Sequence, residues 1–179
     1  MALKKYLTFD QLAGRIKNIK LLALDVDGVL TDDSIFFGPD GFELKKFNIS
    51  DGFFIVLALR SGLEIAVVSG RPSAATTTRM KDLGVKYVLQ EMKDKRKQII
   101  PLLEKLGIDL SQVAFAGNEI LDIGLAREVG LAIAVADAAE ELKREVDYVT
   151  SAKGGYGAVR EIIRAYFQGN NLDPAAYLI

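Results

Sequence analysis

The sequence contains no cysteine and no histidine. Without cysteine there are no disulfides, no thiol nucleophile and no thiolate zinc site, which fits a reducing cytosol. Without histidine, Ser–His and Cys–His machinery is excluded and the commonest transition-metal ligand is missing. Acid, base, nucleophile and metal ligand must therefore come from Asp, Glu, Lys, Ser, Thr, Tyr or the backbone, a set that favours a hard, oxygen-ligated cation such as Mg²⁺ over zinc. Long apolar runs are also missing. Nothing approaches the roughly 20 residues that span a bilayer, and the stretch 1–20 lacks the apolar core of a signal peptide. Nor is there an excess of one charge: 23 Lys and Arg face 24 Asp and Glu, so no overall field favours nucleic acid or an anionic membrane. The expectation is a cytoplasmic protein with neither partner.

What is present is enough apolar material, half of 179 residues, for one substantial core but not for two comfortable domains, so 1–179 reads as a single domain. The stretch Leu21 to Asp33, LLALDVDGVLTDD, organises it. An unbroken apolar run predicts a strand over about 20–26 covered on both faces, as in parallel sheets. The run stops on Asp25 and Asp27, and Gly28 permits a turn. Before it, 3–17 is expected to be a short helix. After it, two aromatic-rich runs around Gly38-Pro39-Asp40-Gly41 predict a β-hairpin over 34–47. Its load of Ile35, Phe36, Phe37, Phe42 and Phe47 needs covering, by the domain body or by another subunit.

From Asp51 the chain repeats amphipathic helix, glycine, apolar strand, with Gly62, Gly84, Gly107 and Gly130 read as left-handed helix stops. The clearest helix is 94–106, which must accommodate Pro101. A last strand is expected at 146–149, a closing helix at 158–167 and a tail at 168–179. This alternation predicts a doubly wound, Rossmann-like parallel sheet with helices on both faces and a protruding hairpin after the first strand.

All strand exits then open on one edge, where ligands gather in such folds. Reading the exits gives Asp25 and Asp27, then Ser69-Gly70-Arg71, then Lys93, Asp94 and Lys95, then Gly117-Asn118-Glu119 with Asp122. Each has a bland reading as a turn or a solvated charge run, but their order on one rim is hard to obtain by chance. Two acids in DxD can divide labour, one attacking or ligating metal and the other moving a proton. An Asp nucleophile suits phosphoryl transfer, with Mg²⁺ between the anionic nucleophile and the anionic phosphate.

DVDGVLTD, SGR, a lysine after the third strand and GNExxD, in that order, resemble the four motifs of the haloacid dehalogenase superfamily of phosphohydrolases. Over about 18–167 the chain is more particularly similar to the branch that acts on octulosonate or nonulosonate phosphates for lipopolysaccharide synthesis, through KKFNISDG, DLGVKYVLQ, DYVT and GGYGAVRE. The resemblance implies a Mg²⁺-dependent phosphatase working through an aspartyl-phosphate. Asp25 is then nucleophile and metal ligand, Asp27 the acid/base with its carbonyl on the metal, and Ser69, Gly70 and Arg71 the substrate-binding loop. Lys95 is the phosphate-binding lysine, Lys93 being the alternative register, and Asn118, Glu119 and Asp122 complete the metal set. It also implies a homotetramer whose hairpin contacts a neighbouring subunit, acting on a small phosphorylated sugar acid. Three departures stand out: Asn118-Glu119 replaces the family's Asp-Asp, Ser50 stands where its RDG has arginine, and Tyr156 where its GGRG has arginine. The departures motivate a second reading, a binding or regulatory domain without catalysis. A response-regulator receiver is a poorer match, since no Asp follows Leu89 before Lys93 and the hairpin has no place there.

Overall fold

The computed structural model describes residues 5–91 and 94–178. The first helix, α1 (Phe9–Ile16), begins later than its apolar spacing predicts because Thr8 and Gln11 close a reciprocal capping box. Leu7 lies outside the helix and pairs its amide with the Asp147 carbonyl at 3.0 Å. The apolar run forms β1 (Leu21–Leu24), entirely buried. The hairpin is β2 (Phe36–Phe37) and β3 (Glu43–Leu44), only two residues on each side. Its turn is closed by a bond from Gly38 N to Phe42 O at 2.7 Å.

The βα grammar then runs as expected. It comprises α2 (Ile49–Arg60), β4 (Glu64–Val68), α3 (Ala74–Leu83), β5 (Tyr87–Leu89), α4 (Lys95–Leu106), β6 (Val113–Gly117), α5 (Ile123–Ala126), β7 (Leu131–Ala134), α6 (Glu140–Lys143), β8 (Tyr148–Val149) and α7 (Ala158–Gly169). Asp94 caps α4 by accepting from Lys97 N, and the helix runs through Pro101. Gly84 and Gly107 are left-handed C-caps, and Gly62 has a positive φ one residue past the C-cap of its helix. Gly130 is different. Its φ is not left-handed, and a side chain there would run into the Ser111 carbonyl, so space rather than backbone freedom requires glycine.

Among the described residues, the main sheet is parallel throughout, in the order β5-β4-β1-β6-β7-β8. The chain winds outward from β1 through β4 to β5, then crosses back to β6 on the other side. In such a sheet the reversal opens a crevice at the carboxyl ends of the two central strands. Right-handed crossovers put α2 and α3 on one face and α4, α5 and α6 on the other; α1 and α7 pack on each other and α7 on α2. Leu24 is level with both Val67 and Ala116, so the residues after β1, β4 and β6 emerge side by side.

The tail is shorter than expected, since α7 continues to Gly169, and the residues beyond that helix are docked. Leu172 and Tyr177 pack against the core, and Arg60 donates to the carbonyls of Tyr177 and Leu178 at 3.0 and 2.8 Å. Asp51, almost fully buried, accepts from Arg160 N at 2.7 Å and Gly157 N at 3.2 Å, so it caps α7 from a distant helix.

Candidate active site

The loop after β1 folds back on one carbonyl: Val29, Leu30 and Thr31 all donate their amides to Val26 O. Thr31, buried, adds its hydroxyl to the same oxygen and accepts from Gly28 N and Asp33 N. Gly28 has φ 82°, and a side chain there would collide with the Asn118 amide. Gly154 and Gly155 press on the same loop, where side chains would strike Gly28 O and Thr31. The family-like DGVLTD and GGYG stretches are therefore two halves of one packed junction.

A cleft of about 290 Å³ opens at this edge, lined among others by Asp25, Asp27, Ser69, Lys95, Asn118 and Asp122. Gly70, Arg71 and Glu119 line it too, so every expected site residue except Lys93, which lies outside the described residues, reaches one place. A larger groove of about 480 Å³ lies at the other end of β4, between Arg60 and Lys86, and holds none of these acids.

Lys95 is the centre of the cleft floor. From the first turn of α4 its buried ammonium reaches Asp25 at 2.7 Å and Asp122 at 2.5 Å. Burial works against that charge, but the two carboxylates outweigh it and hold the lysine above its ordinary range. Asp25, at the exit of β1, is pushed up from 3.8 to about 7, chiefly by burial; Lys95 opposes the shift and Asp122 adds to it.

Asp122 has work of its own. Its Oδ2 accepts from Asn118 N at 2.8 Å and Glu119 N at 3.1 Å while Oδ1 takes Lys95. A side chain at Gly117 would strike this carboxylate. Glu119, exposed, caps the next turn at Ile120 N. Of the expected ligand set Asp25, Asp27, Asn118, Glu119 and Asp122, all five line the cleft, and Asp122 is engaged by Lys95 and by the turn; among the described residues no three His, Cys, Asp or Glu side chains gather as a metal group. Asn118 differs: its Oδ1 is buried and has no hydrogen-bond partner among the described residues.

At the β4 exit, Ser69 Oγ accepts from Arg71 N at 3.2 Å and donates to Arg71 O at 3.1 Å, tightening the SGR turn. The hairpin reaches in as well. Lys45 ion-pairs with Asp27, and Glu43 with Arg71. Lys45, Glu43 and Asp33 had no part in the sequence expectation. Asp33 lines the cleft with its carboxyl raised by burial and by the negative charges of Asp27, Glu119 and Asp137. Only the alternation in FELKK hinted that one of two adjacent lysines faces inward.

A family profile described as haloacid dehalogenase-like hydrolase matches residues 88–163, and it is to this class of phosphate-cleaving enzymes that the chain belongs. A curated relative, the 3-deoxy-D-manno-octulosonate 8-phosphate phosphatase of Escherichia coli K12, is 44% identical over 148 residues, covering 83% of this chain and 79% of the relative. The phosphatase of the same name from Yersinia pestis superposes with a TM-score of 0.87 at 38% identity, over 89% of this chain and 86% of that one. That from Moraxella catarrhalis, solved in complex with magnesium ion, phosphate ion and KDO, superposes with a TM-score of 0.87 at 36% identity, over 90% of this chain and 93% of that one. Within its class the chain is a member of the 3-deoxy-D-manno-octulosonate 8-phosphate phosphatase family.

The Asp25 environment has a measurable consequence in metal-free protein. A carboxyl that titrates at about 7 when folded and near 3.8 when unfolded stabilises the fold fully below the unfolded value, and that stabilisation is lost as pH rises through 7. Thermal unfolding in chelator is expected to show wild type losing ground to Asp25→Asn between pH 5 and pH 8. Parallel midpoints over that range refute it.

Proposed function

We propose that this phosphatase removes the phosphate of 3-deoxy-D-manno-octulosonate 8-phosphate, or of a closely related sugar-acid phosphate, in the cytoplasm and with Mg²⁺ as its metal. The observation that carries the metal reading is Asn118 Oδ1, buried without a partner in the same cleft as Asp25. A neutral oxygen left unpaired beside an acid suits a hard cation. Charge argues the same way, since among the described residues one ammonium, that of Lys95, pairs with two buried carboxylates. Asp25, the main-chain carbonyl of Asp27 and Asn118 Oδ1 would hold the ion, and Asp122 and Glu119 keep their structural tasks. Bound there, it supplies charge neutralisation between nucleophile and phosphate. The substrate reading is supported by the names of the relatives, and a non-catalytic domain is not favoured beside them.

The chain's own residues divide the chemistry between them. One oxygen of the Asp25 carboxylate attacks phosphorus, the bond from phosphorus to the sugar oxygen breaks, and Asp27 gives its proton to that oxygen. The sugar acid leaves, and phosphate remains on Asp25. Water then attacks this phosphorus and gives a proton to Asp27, the Asp25–phosphorus bond breaks, and inorganic phosphate leaves with both acids restored. Lys95 positions Asp25 and meets the phosphate charge. Ser69 and the Gly70 amide donate to phosphate oxygens, and Arg71 faces the substrate. Since Ser50 and Tyr156 stand where the motifs this chain resembles have arginine, recognition of the sugar carboxylate rests on other groups here.

We infer that the unit works as a homotetramer. No helix of the described residues is long and apolar enough to cross a membrane, and the hairpin presents Phe36, Phe37 and Phe42 more than half exposed. A second copy of the chain is the natural cover for such a patch.

Three measurements test these points. On a panel of sugar phosphates with excess Mg²⁺, wild type is expected to prefer the octulosonate 8-phosphate, and Asp25→Asn to lose on the order of 10³-fold or more in kcat; equal turnover by the variant sinks the mechanism. Asn118→Asp is expected to lower the Mg²⁺ concentration at half-maximal activity roughly tenfold; an unchanged requirement removes Asn118 from the ligand set. Sedimentation is expected to find a tetramer that Phe37→Glu dissociates, and a monomeric wild type refutes the assembly.

A further inference from the structure

The inward edge of the hairpin carries charge that the phosphoryl-transfer steps leave without a task. After the turn, Phe42, Leu44 and Lys46 are exposed or nearly so at the surface while Glu43 and Lys45 turn in. The Lys45 side chain is 0% exposed; its ammonium ion-pairs with Oδ1 of Asp27 and lies 3.9 Å from Glu43 Oε1. Glu43 accepts from Ser73 Oγ at 2.7 Å and ion-pairs with Arg71. Charges of alternating sign therefore cross the cleft mouth in the order Asp27, Lys45, Glu43, Arg71, joining the loops after β1 and β4 through the hairpin.

Burying an ammonium is costly unless it is paired. The neighbouring Lys46 keeps half its side chain in water and meets Asp32 and Tyr156 there, so the hairpin does not force its lysines inside. We propose that Lys45 is a positioning residue for the leaving-group half of the reaction: it fixes one oxygen of Asp27 so that the other faces the departing sugar oxygen, and Glu43, anchored on Ser73 and Arg71, keeps Lys45 in place. The proposal rests on the phosphatase reading. As the bond from phosphorus to the sugar oxygen breaks, its electron pair stays on that oxygen, the Asp27 proton moves to it, and the carboxylate left behind meets an ammonium already in position. This help is worth most where the leaving oxygen is a poorly stabilised alkoxide, and least where an acidic phenol departs without needing a proton.

The leaving group therefore separates positioning from plain structural support. The full chain is assayed in saturating Mg²⁺ on the sugar-acid phosphate and on p-nitrophenyl phosphate, as wild type, Lys45→Met, Lys45→Gln and Glu43→Gln. For either Lys45 variant, kcat on the sugar phosphate is expected to fall on the order of 10²-fold, and at least tenfold more than kcat on the aryl phosphate; Glu43→Gln is expected to shift the same ratio less. Should Lys45→Met fail to fold by circular dichroism, Lys45→Gln and Glu43→Gln carry the measurement. Equal losses on both substrates, or none on either, overturn the proposal while the phosphatase reading stands. A wild type that hydrolyses no alkyl phosphate overturns the phosphatase reading, and the proposal falls with it.

Discussion

One buried lysine holds the active end of this molecule together. Lys95 sits between Asp25 and Asp122, and each of the three comes from a different segment: the exit of β1, the start of α4 and the turn after β6. Two carboxylates and one ammonium do not balance, and in a poorly solvated place the difference must be met by a proton or by a further cation. The raised Asp25 carboxyl is the proton form of that answer. The unpartnered Asn118 oxygen marks where a cation would give the other. The replacement of a family aspartate by Asn118 is intelligible in these terms: another negative charge beside this pair would enlarge the imbalance whenever the metal is away.

The hairpin divides its labour by the two-residue period of a strand. Along 42–46, Phe42, Leu44 and Lys46 turn out and Glu43 and Lys45 turn in, while Phe36 and Phe37 of the other strand both stay exposed. One short element is thus suited to meeting another subunit with one face and its own cleft with the other. With only two residues of ladder on each side, the pairing itself contributes little stability. The Lys45–Asp27 and Glu43–Arg71 contacts tie the hairpin to the domain instead.

Features were legible in the sequence where the forces that make them are local. The apolar run of β1, the glycine stops at 84 and 107 and the reach of α4 to Leu106 are short-range matters, and they appear where the sequence puts them. Boundaries moved where a partner was distant or reciprocal, as with Thr8 and Gln11 at α1 and with a tail held by Arg60. The acids on the rim were readable because a parallel sheet aligns strand ends. Their tasks were not: nothing in GNExxD says that Asp122 turns inward to a lysine on another helix, or that Lys45 rather than Lys46 is the buried one. Gly130 was correctly singled out for the wrong reason, since the Ser111 backbone it must clear lies in a different loop.

The junction between the loop after β1 and Gly154-Gly155 has an implication for how the protein comes into being. β1 comes early in the chain but occupies the middle of the sheet, and the segments that flank its acids on one side, from β6 to the GGYG turn, come nearly 90 residues or more later. α1 waits in the same way for α7, with Gly169 against the Ala13 carbonyl. A nascent chain emerging from the ribosome therefore exposes a finished acidic strand whose neighbours do not yet exist. Contacts so far apart along the chain slow closure. The loop that carries Asp25 and Asp27 is packed only once Gly154 and Gly155 reach it.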